Sequence, residues 1–66
     1  MNITNSWFFL NKAIGEAERL KQKSISEMQY RNYMVVSDED NYVVQMFSYL
    51  ARDTAIKSGN LLYLTR

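Results

Sequence analysis

A chain of 66 residues that contains neither cysteine nor histidine has to hold its fold together by packing alone. Disulfides and zinc sites stabilise many domains of this size, because so small a chain buries only about 60% of the surface that it exposes when unfolded. The same two absences exclude iron–sulfur clusters, thiol redox centres and nucleophiles activated by imidazole. We therefore expect no metal site and no cofactor. Association with another protein is the natural way to add buried surface.

The composition is that of a folded protein rather than a disordered one. Hydrophobic residues make up 47% of the chain and charged residues 23%, and no segment rich in glycine, proline or serine interrupts it. We expect residues 1–66 to form one small domain. The apolar run Trp7–Leu10 is only four residues long and no basic segment precedes it, so it is neither a secretion signal nor a membrane span. A cytoplasmic location is expected, and membrane binding is not.

The first segment has the pattern of an amphipathic helix. Ile3 and Phe8 are placed for a hydrophobic staple around Thr4 as the N-cap, and 5–22 continues without a break except Gly15. At about 100° per residue, the apolar side chains fall on one broad face. We predict a helix from Asn5 to Gln22.

The last third of the chain predicts a second long helix. Ser37 stands before the carboxylates 38–40, where a helix dipole favours negative charge, and Gly59 is suited to a left-handed residue at the helix end. Between them Tyr42, Tyr49 and Ile56, spaced by seven, make a second apolar stripe beside the first. This helix is either central and packed on both sides, or it carries an interface.

The segment 25–36 supports two interpretations. Ser24 and Glu27 form a capping box that favours a short helix, whereas 28–31 alternates with the period of a strand, and 61–65 has the composition of one. We prefer an all-α fold, a three-helix domain with a short apolar C-terminal tail. The alternative is an α+β fold with short strands near 28–36 and 61–65. Two such strands make a marginal sheet unless a second copy extends it.

Apolar surface in excess of what a small core needs is the main functional signal. Nine of the 66 residues are aromatic, and aromatic residues and methionine are enriched in the centres of interfaces. The sequence predicts a non-enzymatic protein-interaction module, either a homodimer or an accessory or inhibitory subunit of a larger complex. The predicted interface residues are Phe8, Tyr42, Tyr49, Ile56, Leu62 and Tyr63.

Basic residues in the first segment suggest a second function, nucleic-acid binding by a dimeric regulator. The candidate phosphate contacts are Lys12, Arg19, Lys21 and Lys23. Glutamates are interspersed among them and the isoelectric point of the chain is only about 8.0, which is more typical of a solvated helix face. Carboxylates and tyrosines occur without a spacing that brings an acid and a base together, so we expect no catalytic residues and no enzyme.

Overall fold

The computed structural model describes residues 6–66 and shows an α+β fold, so the prediction of an all-α three-helix domain is wrong. The elements in chain order are β1 (Ser6–Trp7), α1 (Leu10–Ser26), β2 (Tyr33–Asp38), β3 (Asn41–Met46), α2 (Tyr49–Ser58) and β4 (Leu61–Leu64). The strands form one antiparallel sheet in the order β1-β3-β2-β4. Three strands have four residues or more, and β1 adds two residues beside β3.

A helix covers each face of this sheet, and the central strands explain why. Val35 and its partner Val44 pack with α1 in one cluster of buried residues, whereas Val36 and its partner Val43 belong to the other cluster, beneath α2. Successive side chains of a strand point to opposite faces. A strand that is buried on both faces therefore reads as a continuous apolar run rather than an alternating one.

α1 lies close to the sheet because small residues form its inner side. Ala13 and Ala17 have no exposed surface and pack directly on Val35 and Val44. The helix begins at Leu10 rather than Asn5, because the chain before it pairs with β3 through Ser6 and Trp7. The predicted capping residues Ile3 and Thr4 lie outside the described residues.

Ser24 and Glu27, the predicted capping box of a second helix, lie at the end of α1 instead. The helix continues to Ser26, so Ser24 is not the N-cap of a second helix. Its side chain is buried, accepts a hydrogen bond from the Arg31 N–H at 3.0 Å and donates one to the Lys21 carbonyl at 2.7 Å. Ser24 therefore fastens the following loop, 27–32, to the end of the helix.

The acidic run that was expected to begin a helix forms a hairpin turn instead. Asp38 pairs with Asn41, and Glu39 and Asp40 make the two-residue connection between β2 and β3. Glu39 has a φ of 56°, in the left-handed region that such tight hairpin turns require. The predicted helix after Ser37 is therefore wrong for its first eleven residues, 38–48, of which 41–46 are strand β3.

α2 is shorter than predicted and has well-formed ends. Ser48 is its N-cap and accepts a hydrogen bond from the Ala51 N–H at 3.1 Å. Gly59 follows its last turn with a φ of 73°, so the prediction of a left-handed glycine at this helix end is confirmed. β4 then returns along β2, with an irregularity opposite Val35 and Val36. The expected apolar tail is thus the edge strand of the sheet.

Candidate functional site

The two long sides of α2 face different parts of the sheet. Ala51 and Ala55 point inward. The side with Leu50, Thr54 and Ser58 lines a groove of about 390 Å³ together with Val36 and Gln45 of β2 and β3.

The opposite side of α2 turns toward β4. Tyr49 and Arg52 line a second cavity of about 300 Å³ with Leu64 and Arg66. Ile56 continues this side one turn further along the helix, because residues at i, i+3 and i+7 share a helix face. Tyr49, Ile56 and the neighbouring strand β4 together make one surface, which we name the α2–β4 surface.

Large apolar side chains on the α2–β4 surface are exposed. Tyr49 retains 70% of its accessible surface, Ile56 56% and Leu62 42%. The Tyr49 ring packs edge-on against Phe47 with centroids 5.2 Å apart, and the Arg52 guanidinium lies 5.3 Å from its centroid. Tyr49 is thus in contact with Phe47 and Arg52 while most of its surface stays exposed, an arrangement typical of aromatic residues that bind partners.

Within residues 6–66, no strand pairs with the outer side of β4. The Thr65 N–H donates to the Tyr33 carbonyl at 3.0 Å, and the Tyr33 N–H donates to the Thr65 hydroxyl at 2.9 Å, so these two residues are bonded just beyond the Met34–Leu64 pair of the β2–β4 ladder. In an antiparallel ladder such pairs alternate, which makes Val35 and Tyr63 the next bonded pair. The N–H and carbonyl groups of Leu64 therefore point away from β2, toward the open edge. Leu62 is the extra residue at the irregularity between Val35 and Val36, so it has no partner in β2 either.

Tyr63 is oriented by a contact with α1. Its hydroxyl donates a hydrogen bond to the Glu18 carboxylate across the other face of the sheet. This bond raises the pKa of the Tyr63 phenol above its ordinary value, and burial and the negative charge of Glu18 act in the same direction. The phenol is a poor proton donor under these conditions, so the pair fixes the edge strand to α1 and is not arranged for acid–base chemistry.

The predicted interface residues do not form one helical stripe. Tyr42 lies in β3, half-buried against the α1 side of the core, whereas Tyr49 and Ile56 lie on α2. Phe8 is 78% exposed but follows β1, at the sheet edge opposite β4. Of the predicted residues, the fold places Tyr49 and Ile56 on α2 and Leu62 and Tyr63 on the neighbouring strand β4, with the Tyr63 side chain on the opposite face of the sheet, toward α1. The role of all six in binding stays a prediction.

The basic residues of α1 are not gathered on one side. Lys12, Arg19 and Lys23 share an exposed flank, whereas Lys21 lies on the opposite side of the helix, since nine residues at about 100° each amount to a half-turn offset. Arg19 is engaged with Glu16 through two bonds of 2.8 and 2.6 Å. Hydrogen bonding with Arg19 lowers the pKa of the Glu16 carboxyl below its ordinary value. The geometry does not favour a phosphate site, and that function stays a prediction.

The open edge of β4 was missed by sequence reasoning, because a backbone edge has no side-chain signature. A weak signal was present: 61–64 contains neither charge nor proline, the usual guards of an exposed strand edge. Met28 and Tyr30 are exposed in the loop after α1 and both have a positive φ. Neither was among the predicted interface residues.

Comparison of the chain with protein-family models, with curated proteins and with solved structures finds no match. Neither helix within residues 6–66 has the length and apolar character needed to cross a membrane. The function is therefore inferred from the geometry of the chain itself.

Proposed function

We propose that this chain is a non-enzymatic protein-binding module that acts through the α2–β4 surface. The observation that carries the proposal is the position of exposed Tyr49, Ile56 and Leu62 beside a strand edge with unpaired backbone groups. Apolar side chains supply most of the binding free energy in such interfaces, and the edge supplies directional hydrogen bonds. The proposal keeps the cytoplasmic location expected from the sequence.

The chemistry of the neighbouring cavities supports binding rather than catalysis. The groove beside Leu50 is lined by uncharged side chains, none of which exchanges a proton near neutral pH. Arg52, at the other cavity, is already paired with Asp53 at 2.9 Å. A surface that combines an anchored aromatic ring, aliphatic side chains and charges at its margin has the anatomy of a protein interface.

A matched pair of variants tests this proposal. Ile56→Asp places a charge on the α2–β4 surface, and Leu50→Asp places the same charge on the other side of α2, at a position that is 79% exposed. We expect the immobilised wild-type chain and Leu50→Asp to retain the same proteins from a lysate of the source organism, or further copies of the chain. We expect Ile56→Asp to lose them, with circular dichroism unchanged in both variants.

Two results would contradict the proposal. One is equal retention by Ile56→Asp and the wild type, which would move the binding surface elsewhere. The other is a wild-type chain that retains nothing above a blank support and stays monomeric, which would leave the exposed apolar residues without a binding role.

A further inference from the structure

The open edge of β4 has a composition that suits pairing with another strand. An exposed strand edge is a template for pairing, and proteins that avoid it place lysine, proline or a covering segment there. Residues 61–64 contain neither lysine nor proline, and α2 lies over the face of β4 rather than over its edge, so the irregularity at Leu62 is the one protecting feature of this strand within residues 6–66. The N–H and carbonyl groups of Leu62 and Leu64, which have no partner in β2, are the ones available.

We propose that the α2–β4 surface binds a second copy of this chain, with β4 of the two copies paired antiparallel about a twofold axis at Tyr63. This inference rests on the proposed function and names its partner. In the pairing, Leu62 lies opposite Leu64 of the partner subunit, and Tyr63 lies opposite the partner's Tyr63. The two four-stranded sheets then become one continuous sheet of eight strands.

The register follows from which backbone groups are free. A twofold axis at Leu62 would instead pair Leu64 with Asn60. The Asn60 N–H already donates to the Ala55 carbonyl at 3.0 Å, and its carbonyl accepts from the Ser37 N–H at 2.9 Å. With the axis at Tyr63, Leu62 and Leu64 both use their N–H and carbonyl groups, and about four hydrogen bonds form.

The same axis brings the two copies of α2 to packing distance. α2 packs on Met34 and Val36 of β2 and on Leu61 and Leu64 of β4, so it lies above the boundary between these strands. Neighbouring strands are about 4.8 Å apart, which places the axes of the two α2 helices about 10 Å from each other. Packed helices are separated by about 8–10 Å. The side of α2 with Tyr49 and Ile56 is the one that faces the partner.

The helix contact is needed because the strand contact alone is small. A stable dimer buries about 800 Å² on each partner, whereas the whole chain exposes 4759 Å². An edge of four residues cannot supply a sixth of that surface. Tyr49 and Ile56 add aromatic and aliphatic area on one face of the sheet. We therefore expect the dimer to require both β4 and α2.

The mass of the full chain in solution tests the inference. Sedimentation equilibrium of the wild type over a dilution series is expected to show a monomer–dimer equilibrium. Leu62→Lys introduces a guarding charge on the edge and is expected to raise the dissociation constant at least tenfold. Leu50→Lys, on the other side of α2, is expected to leave it unchanged. Circular dichroism of each variant establishes that the monomer is folded.

Single-cysteine variants test the register, since the chain has no cysteine of its own. Across the proposed axis the Cα atoms of position 63 are about 4.5–5.5 Å apart, within the range of a disulfide. Those of position 62 are about 8–9 Å apart, beyond it. We expect Tyr63→Cys to cross-link under mild oxidation at least tenfold faster than Leu62→Cys at the same concentration.

The outcomes separate this inference from the proposed function. A wild type that is monomeric up to about 1 mM overturns the second-copy inference, and the Ile56→Asp retention experiment then decides whether the surface binds a different protein. A dimer that Leu50→Lys dissociates and Leu62→Lys does not would overturn both the inference and the assigned surface. Faster cross-linking at position 62 than at 63 would overturn the register.

Discussion

The residues that follow α1 and α2 adopt the same backbone conformation with very different side chains. The Gly59 N–H bonds to the Ile56 carbonyl and the Asn60 N–H to the Ala55 carbonyl, which is the Schellman arrangement. After α1, Met28 takes the place of Gly59, with a φ of 60°. A side chain in the left-handed region costs about 1–2 kcal/mol. Met28 therefore carries strain that Gly59 does not.

Replacing Met28 by glycine is expected to stabilise the protein. Relief of the left-handed strain exceeds the extra conformational entropy that glycine has when unfolded, which leaves a gain of about 0.5–1 kcal/mol. Met28 is 78% exposed, so little packing is lost. Urea unfolding of Met28→Gly measures the gain, and Gly59→Ala, which should lose about 1 kcal/mol, is the control. A less stable Met28→Gly would mean that the methionine side chain makes a stabilising contact in the folded state.

The Tyr63–Glu18 pair makes stability depend on pH at the alkaline end. The pKa of Tyr63 is raised in the folded state, so the folded protein holds this proton more tightly than the unfolded chain. The resulting stabilisation is complete below about pH 10, the ordinary tyrosine pKa, and is lost as pH rises through the raised value. We expect the stability advantage of the wild type over Tyr63→Phe to shrink above about pH 10.

Urea midpoints of the wild type and Tyr63→Phe at pH 7, 9 and 10.5 measure this effect. The comparison cancels the titration of the other tyrosines and of the lysines, which both proteins share. Glu18→Gln keeps an oxygen acceptor and removes the charge, so its pH dependence should be weaker than that of the wild type. A difference between wild type and Tyr63→Phe that is constant across these pH values would exclude the pair as its source.

At the scale of the element, Gly15 lowers the stability of α1 and has no packing role within residues 6–66. Gly15 lies in the interior of the helix, and within residues 6–66 a Cβ added there would meet no atom within 4 Å apart from its chain neighbours and the adjacent backbone of α1. Glycine in an exposed helix interior costs about 0.5–1 kcal/mol relative to alanine. Gly15→Ala should therefore raise the free energy of unfolding by that amount, measured by urea unfolding. Ala13→Gly, at a buried position of the same helix, should lower it. A destabilised Gly15→Ala would contradict the open space at this position.

The helices were predictable where a local signal determined them. Gly59 was identified as a helix end from sequence because only glycine adopts the left-handed conformation without strain. The end of α1 could not be predicted in the same way, because Met28 occupies the position equivalent to Gly59 and a methionine does not indicate a helix end. Its start moved from Asn5 to Leu10 because pairing of Ser6 and Trp7 with β3 is a contact between distant segments.

The strands, above all β3, were predicted wrongly from the sequence. β3 packs against a helix on each face, so Tyr42, Val43 and Val44 form a continuous apolar run, which a helix with two apolar stripes also produces. The acidic turn before it resembles the first turn of a helix. Only the pairing of Val43 and Val44 with β2 separates the two interpretations, and that pairing is a property of the whole sheet.

At the scale of the whole molecule, the sheet order decides which predicted interface residues can act together. β1 and β4 are opposite edges, so Phe8 and Leu62 cannot contribute to one surface of a single chain. Four of the six predicted residues nevertheless lie on α2 or β4, although the Tyr63 side chain faces α1 on the other side of the sheet. The sequence could indicate that apolar surface was in excess, but only the order of the strands assigns that surface to an edge with free backbone groups.

Pairing of two chains through β4 would make thermal stability depend on protein concentration. Unfolding of a dimer to two unfolded chains is opposed by mass action, so the unfolding temperature rises as the chain is concentrated. For an unfolding enthalpy of about 0.7 kcal/mol per residue, the expected rise is about 5 °C for each tenfold increase in concentration. Differential scanning calorimetry over a hundredfold range measures it.

The same experiment on Leu62→Lys gives the reference for a single chain, because its edge should no longer pair. Its unfolding temperature should be constant with concentration and should meet that of the wild type at high dilution, where the wild-type dimer has dissociated. Leu50→Lys should follow the wild type at every concentration, since its charge lies on the other side of α2. An unfolding temperature of the wild type that stays constant over the whole range would contradict the pairing, and the stability of the fold would then belong to the single chain.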